Sequence, residues 1–182
     1  MNWGFPSEHF TGKSMNTILN RFIVAVVLIM LLGGCSYSFT GASISPEVKT
    51  VSIKYFPNYA PYTQPTLSQT FTEKLKDRFL NQTSLSLLSS GGDLNFEGAI
   101  VDYKNLPTAI QTGDKPGLNR LTIKVKVNFT NNKDPKQNFE TTFERFAEYD
   151  SNKQLIEVEG TLITQITDQL IDDIFNKSVV NW

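Results

Sequence analysis

A strict alternation of apolar and polar side chains over residues 120–130 is the feature that most constrains the fold. The apolar side chains, at every second position, are Leu121, Ile123, Val125, Val127 and Phe129. Basic, hydroxyl or amide side chains occupy the positions between them, from Arg120 to Thr130. Because successive side chains of a strand point to opposite faces, this segment predicts a strand in a sheet with one packed face and one wet face.

Shorter segments show related patterns. Residues 50–56, 93–100 and 138–149 are predicted to be strands, and residues 84–88 a further short strand. The alternation changes parity after Ile100, which predicts a bulge over residues 98–101. Residues 105–119 contain two prolines and two glycines and are predicted to be a long loop.

Two segments have the spacing of amphipathic helices. In the first, apolar residues recur every four positions from Leu67 to Phe79, and Thr66 with Gln69 fits a capping box. In the second, residues 155–177, an apolar stripe runs from Val158 to Phe175. The resulting order of elements is strand, helix, three or so strands and helix. It predicts an α+β fold: a single mixed sheet of four or so strands with two helices packed on one face.

The first 34 residues have the features of a bacterial lipoprotein signal peptide. The apolar run from Phe22 to Leu32 is eleven residues long, whereas a membrane-spanning helix needs about 20. Arg21 supplies a basic flank before the run. Gly33 and Gly34 then place small residues directly before the only cysteine, Cys35. We therefore expect cleavage before Cys35 and a lipid on its sulfur; the alternative is an ordinary secretory signal with an incidental cysteine.

These features predict three regions. Residues 1–34 are the signal peptide, residues 35–49 a lipidated tether and residues 50–182 the folded domain. A more typical start of the signal lies at Met15, which predicts that translation begins there. No acidic cluster follows Cys35. By resemblance to lipoprotein sorting rules, this predicts an anchor in the outer membrane, on its periplasmic side.

The inventory of reactive side chains argues against catalysis. The only histidine, His9, lies in the predicted signal peptide, and the only cysteine would carry lipid. Ser-His or Cys-His catalysis and most zinc sites are therefore excluded from the mature chain. We expect no enzyme activity, no metal and no cofactor beyond the lipid, and no nucleic-acid partner. A carboxylate hydrolase is a minor alternative, and it would need two acidic groups roughly 5–10 Å apart in a cleft.

The lipidation motif and several later segments together resemble the LptE family of lipopolysaccharide-assembly lipoproteins, in the form found in Bacteroidetes-type bacteria. The segments that carry the resemblance are residues 51–58, 93–98, 119–127 and 173–182. The family implies a protein that is not an enzyme. It implies a plug and assembly partner for the large outer-membrane β-barrel LptD, which moves lipopolysaccharide to the outer leaflet. A different periplasmic adaptor, such as a secretin pilot protein, is the alternative.

Basic residues are concentrated in the middle of the chain. Between residues 104 and 136 there are seven basic and two acidic residues. Lipopolysaccharide carries phosphates, which attract Lys and Arg. We therefore predict that some of these side chains contact lipid A phosphates or acidic groups in the barrel wall; the candidates are Lys104, Lys115, Arg120, Lys124 and Lys126. The equally weighted alternative is that strand lysines only prevent edge aggregation.

Overall fold

A computed structural model describes residues 44–62, 64–109 and 117–180, together with residues 1, 3 and 4. Its strands are β1 (Thr50–Ile53), β2 (Ser86–Leu88), β3 (Leu94–Ala109), β4 (Leu118–Asn131) and β5 (Phe139–Asp150). Its helices are α1 (Leu67–Gln82) and α2 (Leu155–Val179). Neither of these described helices is long and apolar enough to cross a membrane.

The strands form one mixed sheet in the order β2-β1-β3-β4-β5. β1 pairs in parallel with both β2 and β3, and α1 makes the crossover between β1 and β2. β3, β4 and β5 form an antiparallel meander. The predicted α+β fold is confirmed, with five strands in place of four or so.

Both helices pack on the same face of the sheet. Phe79 of α1 lies 4.8 Å from Phe96 of β3 and 5.1 Å from Phe175 of α2, measured between ring centroids. Phe96 in turn lies 4.8 Å from Phe129 of β4. The helices pack in this way because their predicted apolar spacing places one residue per turn toward the sheet. Phe71, Leu75, Leu170 and Ile174 are accordingly buried.

The predicted bulge is confirmed, because the β3–β4 register shifts between Ile100 and Asp102. The predicted loop over residues 105–119 is wrong in extent, since β3 continues to Ala109 and β4 begins at Leu118. Among the described residues, the segment after β1 pairs with β3 only as far as Ile100. Beyond that point this side of β3 is an edge, and Pro107 lies there. Proline is compatible with such an edge position.

The predicted capping box at α1 is also wrong. The Thr66 side chain makes no capping hydrogen bond. Gln64 replaces it: its Oε1 accepts hydrogen bonds from the backbone N–H groups of Thr66, at 2.7 Å, and Leu67, at 3.0 Å. A longer side chain two residues earlier thus satisfies the first helical donors.

Asp93 holds the start of β1 against the start of β3. Its Oδ2 accepts hydrogen bonds from the backbone N–H groups of Lys49, at 2.9 Å, and Thr50, at 3.0 Å, and from the Thr50 hydroxyl at 2.9 Å. Lys133 lies 3.2 Å from the other carboxylate oxygen. These donors lower the pKa of Asp93 from 3.8 to about 2, because each favours the charged carboxylate.

Replacing Asp93 with Asn is expected to lower the melting temperature by a few degrees at pH 7. The pKa of Asp93 is depressed in the folded state, so its contribution is full above the unfolded value of 3.8 and is lost as the pH falls toward 2. The difference in melting temperature between the wild type and Asp93→Asn should therefore shrink between pH 5 and pH 3. Thermal unfolding followed by circular dichroism measures it. A constant difference over that range would contradict this role for the charge.

Candidate functional site

The face of the sheet that points away from the helices carries four of the predicted contact residues. Because β4 alternates, Leu121, Ile123 and Val125 face the helices and are buried. Arg120, Lys124 and Lys126 of β4 point the other way, and Lys104 of β3 pairs with Thr122 on the same side. We call the surface formed by the outward side chains of β3, β4 and β5 the outer face. Lys115 and Cys35 lie outside the described residues.

Each of the three β4 cations has a carboxylate partner on β5. Arg120 Nη2 lies 2.6 Å from Glu148, Lys124 lies 2.7 Å from Glu144, and Lys126 lies 2.7 Å from Glu140. The register explains the first two pairs, because Arg120 is directly opposite Glu148 and Lys124 directly opposite Glu144. Lys126 reaches diagonally, since Thr142 is its direct neighbour.

β3 takes part in two further ion pairs. One lies within β3 itself, and the other joins β3 to the residue that follows β1. Lys104 lies 2.9 Å from Asp102, and Lys54, just after β1, lies 2.6 Å from Glu97 of β3. Together with the β4–β5 pairs, five cations of this surface match five carboxylates. The outer face is therefore a balanced array of ion pairs and not the basic patch that the charge count along the sequence indicated.

Lys124 has the strongest acidic surroundings of the lysines on the outer face. Its hydrogen bond to Glu144, and then the charge of that carboxylate and of Asp102, raise the pKa of Lys124. Lys124 therefore remains fully charged at neutral pH. Its pairing is nevertheless partly exposed, and pairs of this kind contribute little stability.

One aromatic side chain interrupts the charges. Phe146 of β5 is 45% exposed, and the guanidinium carbon of Arg120 lies 3.9 Å from the centre of its ring. Phe146 has the opposite parity to Phe139 and Phe143, which pack against the core. The Arg120 guanidinium thus contacts the ring of Phe146 while its nitrogen atoms bind Glu148.

The carboxylates that neutralise the lysines were not predicted from the sequence. Glu140, Glu144 and Glu148 recur every four residues on one face of β5, which is a readable signal. The acidic segment was separated from the basic one along the chain, although a short connection between β4 and β5 brings the two together. No cluster of three or more His, Cys, Asp or Glu suited to a metal ion occurs in the described part of the chain.

Comparison with protein families finds one match, which covers most of the chain. The model of the family described as LptE, lipopolysaccharide-assembly, matches residues 48–178. That range includes both helices almost entirely and all five strands. No curated protein sequence matches the chain.

Solved structures of low sequence identity are similar to the chain. A Xanthomonas campestris protein is 10% identical, with a TM-score of 0.52, over 76% of this chain and 86% of its own. A minor lipoprotein from Acinetobacter baumannii is 14% identical, with a TM-score of 0.47, over 72% of this chain and 92% of its own. At these identities, the first similarity supports the arrangement of strands and helices alone.

Proposed function

Since the chain belongs to the LptE family of lipopolysaccharide-assembly proteins, we propose that it is a lipoprotein of the outer membrane that plugs and helps to assemble an LptD-type β-barrel. In this role it would assist the passage of lipopolysaccharide to the outer leaflet. The lipid on Cys35 would hold the domain on the periplasmic side of the membrane. The family match over residues 48–178 is the observation that carries the proposal.

The outer face has the chemistry that such a role needs. The interior of a large outer-membrane barrel is polar and wet. A domain inside it must keep its own apolar core away from water and still present side chains that form hydrogen bonds to the wall. The paired charges of β3, β4 and β5 meet this requirement. They are polar, and because they balance each other they carry no large net charge that would repel groups of the same sign on the wall.

The proposed role is one of binding and assembly, without catalysis and without a cofactor other than the covalent lipid. Glu140, Glu144 and Glu148 of the outer face are each held by a basic partner on an open sheet surface. Carboxylates arranged in this way suit recognition, since their charge is already balanced by a neighbouring cation.

Affinity purification of the full-length lipoprotein from detergent-solubilised outer membranes tests the proposal. We expect an LptD-type barrel to co-purify in stoichiometric amount, and mass spectrometry identifies it. Recovery of a secretin in its place would overturn the proposal in favour of a pilot protein. Recovery of the lipoprotein without any barrel would also overturn it.

The paired lysines of the outer face are proposed to contact lipid A phosphates by exchanging their carboxylate partners. Replacing Glu140 and Glu144 with Gln releases Lys126 and Lys124, and should strengthen lipopolysaccharide binding about threefold to tenfold. Replacing the two lysines with Gln should weaken it by a similar factor. Binding of purified lipopolysaccharide to the detergent-solubilised protein is the measurement.

Lys76→Gln is the matched control for these variants. Lys76 also forms an ion pair, with Glu73 at 3.0 Å, but it lies on α1, away from the outer face. Its replacement should leave lipopolysaccharide binding unchanged. Equal affinities for the wild type, the Glu variant and the Lys variant would show that the lysines only protect the sheet surface.

A further inference from the structure

Exposed tyrosines follow β1 in the longest uncharged segment of the domain. Residues 55–72 contain no Asp, Glu, Lys, Arg or His, although about one residue in five of the chain is charged. Tyr59 is 73% exposed and Tyr62 is 56% exposed. We call residues 57–62, with the outward side chains of Tyr59 and Tyr62, the tyrosine turn.

The backbone of the tyrosine turn is held firmly on the domain. Tyr59 N–H donates to the Ile100 carbonyl at 2.8 Å, and Ile100 N–H donates to the Pro57 carbonyl at 2.9 Å. Ala60 N–H donates to the Asn58 side chain at 3.0 Å. Ala60 itself is buried. The turn is therefore preorganised, and little conformational entropy would be lost when Tyr59 and Tyr62 bind a partner.

The tyrosine turn lies at the end of the sheet opposite to the one where the chain enters β1. Tyr62 stacks on Tyr103 of β3, with ring centroids 5.3 Å apart. The Tyr103 hydroxyl donates to Glu159, in the second turn of α2, at 2.5 Å. Ile156, one turn earlier in that helix, is also highly exposed. Tyr62, Tyr103 and the start of α2 are thus connected at this end of the domain.

Aromatic enrichment and charge depletion are the composition of the centre of a protein interface. The turn offers no cation for a phosphate, which argues against lipopolysaccharide as its ligand. Tyrosine presents a rigid apolar ring and one hydroxyl, a combination suited to an uncharged polar protein surface.

We propose that Tyr59 and Tyr62 anchor this end of the domain to an uncharged part of the inner wall of the barrel partner. This inference rests on the proposed function, because the barrel is the occupant. It assigns the contact to a surface distinct from the ion-paired outer face. The outer face would then remain available for lipopolysaccharide.

Co-purification of the barrel with the full-length Tyr59→Ala/Tyr62→Ala variant tests the inference. We expect the recovered barrel to fall about tenfold relative to the wild type, because central aromatic residues dominate interface energies. The single variant Tyr59→Ala should produce part of the loss without disturbing the fold, since it leaves the stacking of Tyr62 on Tyr103 intact. Unchanged thermal unfolding of Tyr59→Ala confirms that the loss is one of binding.

Tyr55→Ala is the matched control, because Tyr55 is 59% exposed in the same segment but lies beside Leu87 and Leu88. It should retain the barrel at the wild-type level. Undiminished recovery by the double variant, or equal losses in the double variant and Tyr55→Ala, would overturn the inference and leave the proposed function standing. Absence of the barrel with the wild type would instead overturn the proposed function.

Discussion

Replacing Phe96 with Ala is expected to lower the free energy of unfolding by about 4 kcal/mol. Phe96 is fully buried, and its ring lies 4.8 Å from both Phe79 and Phe129. It therefore joins β3 to α1 and to β4 at once. Removing the ring would lose its transfer free energy and leave a cavity between three elements, because aromatic neighbours on different strands and helices cannot all collapse into it.

Urea unfolding of the full chain in detergent, followed by circular dichroism, measures this effect. Phe146→Ala is the matched control: the same side chain is removed from the other face of the sheet, where it is partly exposed beside Arg120. Its cost should be below about 1 kcal/mol. Similar losses in Phe96→Ala and Phe146→Ala would contradict the assignment of the two faces. Domains are typically stable by about 5–15 kcal/mol, so a loss of this size should lower the urea midpoint clearly.

Replacing Cys35 with Ser is expected to abolish lipid attachment and to release the domain from the membrane. The serine hydroxyl does not replace the thiol that the lipidation reaction requires. Each buried methylene of an acyl chain contributes about 0.8 kcal/mol to membrane binding, and one chain alone gives marginal binding. Several chains on one residue act as a permanent anchor, so their loss should move the protein almost entirely into the soluble fraction.

Incorporation of labelled palmitate, together with membrane fractionation, tests the role of Cys35. Gly34→Ala is the control, because it keeps a small residue directly before the cysteine and should retain the label. Persistent labelling of Cys35→Ser would contradict lipidation at this residue. Loss of labelling in Gly34→Ala as well would show that cleavage requires Gly34 itself and not merely a small residue.

The fold was predictable to the extent that its elements are marked by local patterns. The alternation around Val125 and the four-residue spacing from Leu67 to Phe79 each report one element packed against a core, and both are confirmed. The predictions failed where pairing partners matter. Residues 105–109 contain loop-forming residues, yet they are a strand because β4 pairs with them. Thr66 has the identity of a cap, yet Gln64 reaches the helical donors first.

In the candidate site, too, local features could be predicted and pairing between segments could not. Arg120, Lys124 and Lys126 could be placed on one face from their spacing alone, and their role as contact residues stays a prediction. Their neutralisation by β5 could not be read from a charge count, since it depends on which residues the turn between β4 and β5 sets opposite each other. The position of Tyr59 likewise depends on backbone hydrogen bonds between residues 57–59 and Ile100, and this distant pairing has no local sequence signature.

Local patterns along the chain were enough to predict the α+β class, the two helical faces and the solvent-exposed side of β4. They also predicted the position at which a lipid is expected. These properties follow from periodicities and motifs within a few residues of chain, where side-chain direction depends only on the local backbone. Three features became apparent only in the folded domain: the strand order, the ion pairs that balance the outer face and the outward tyrosines. The physical reason is that each of these depends on the register between segments distant along the chain, and a register is set by the packing of the whole core.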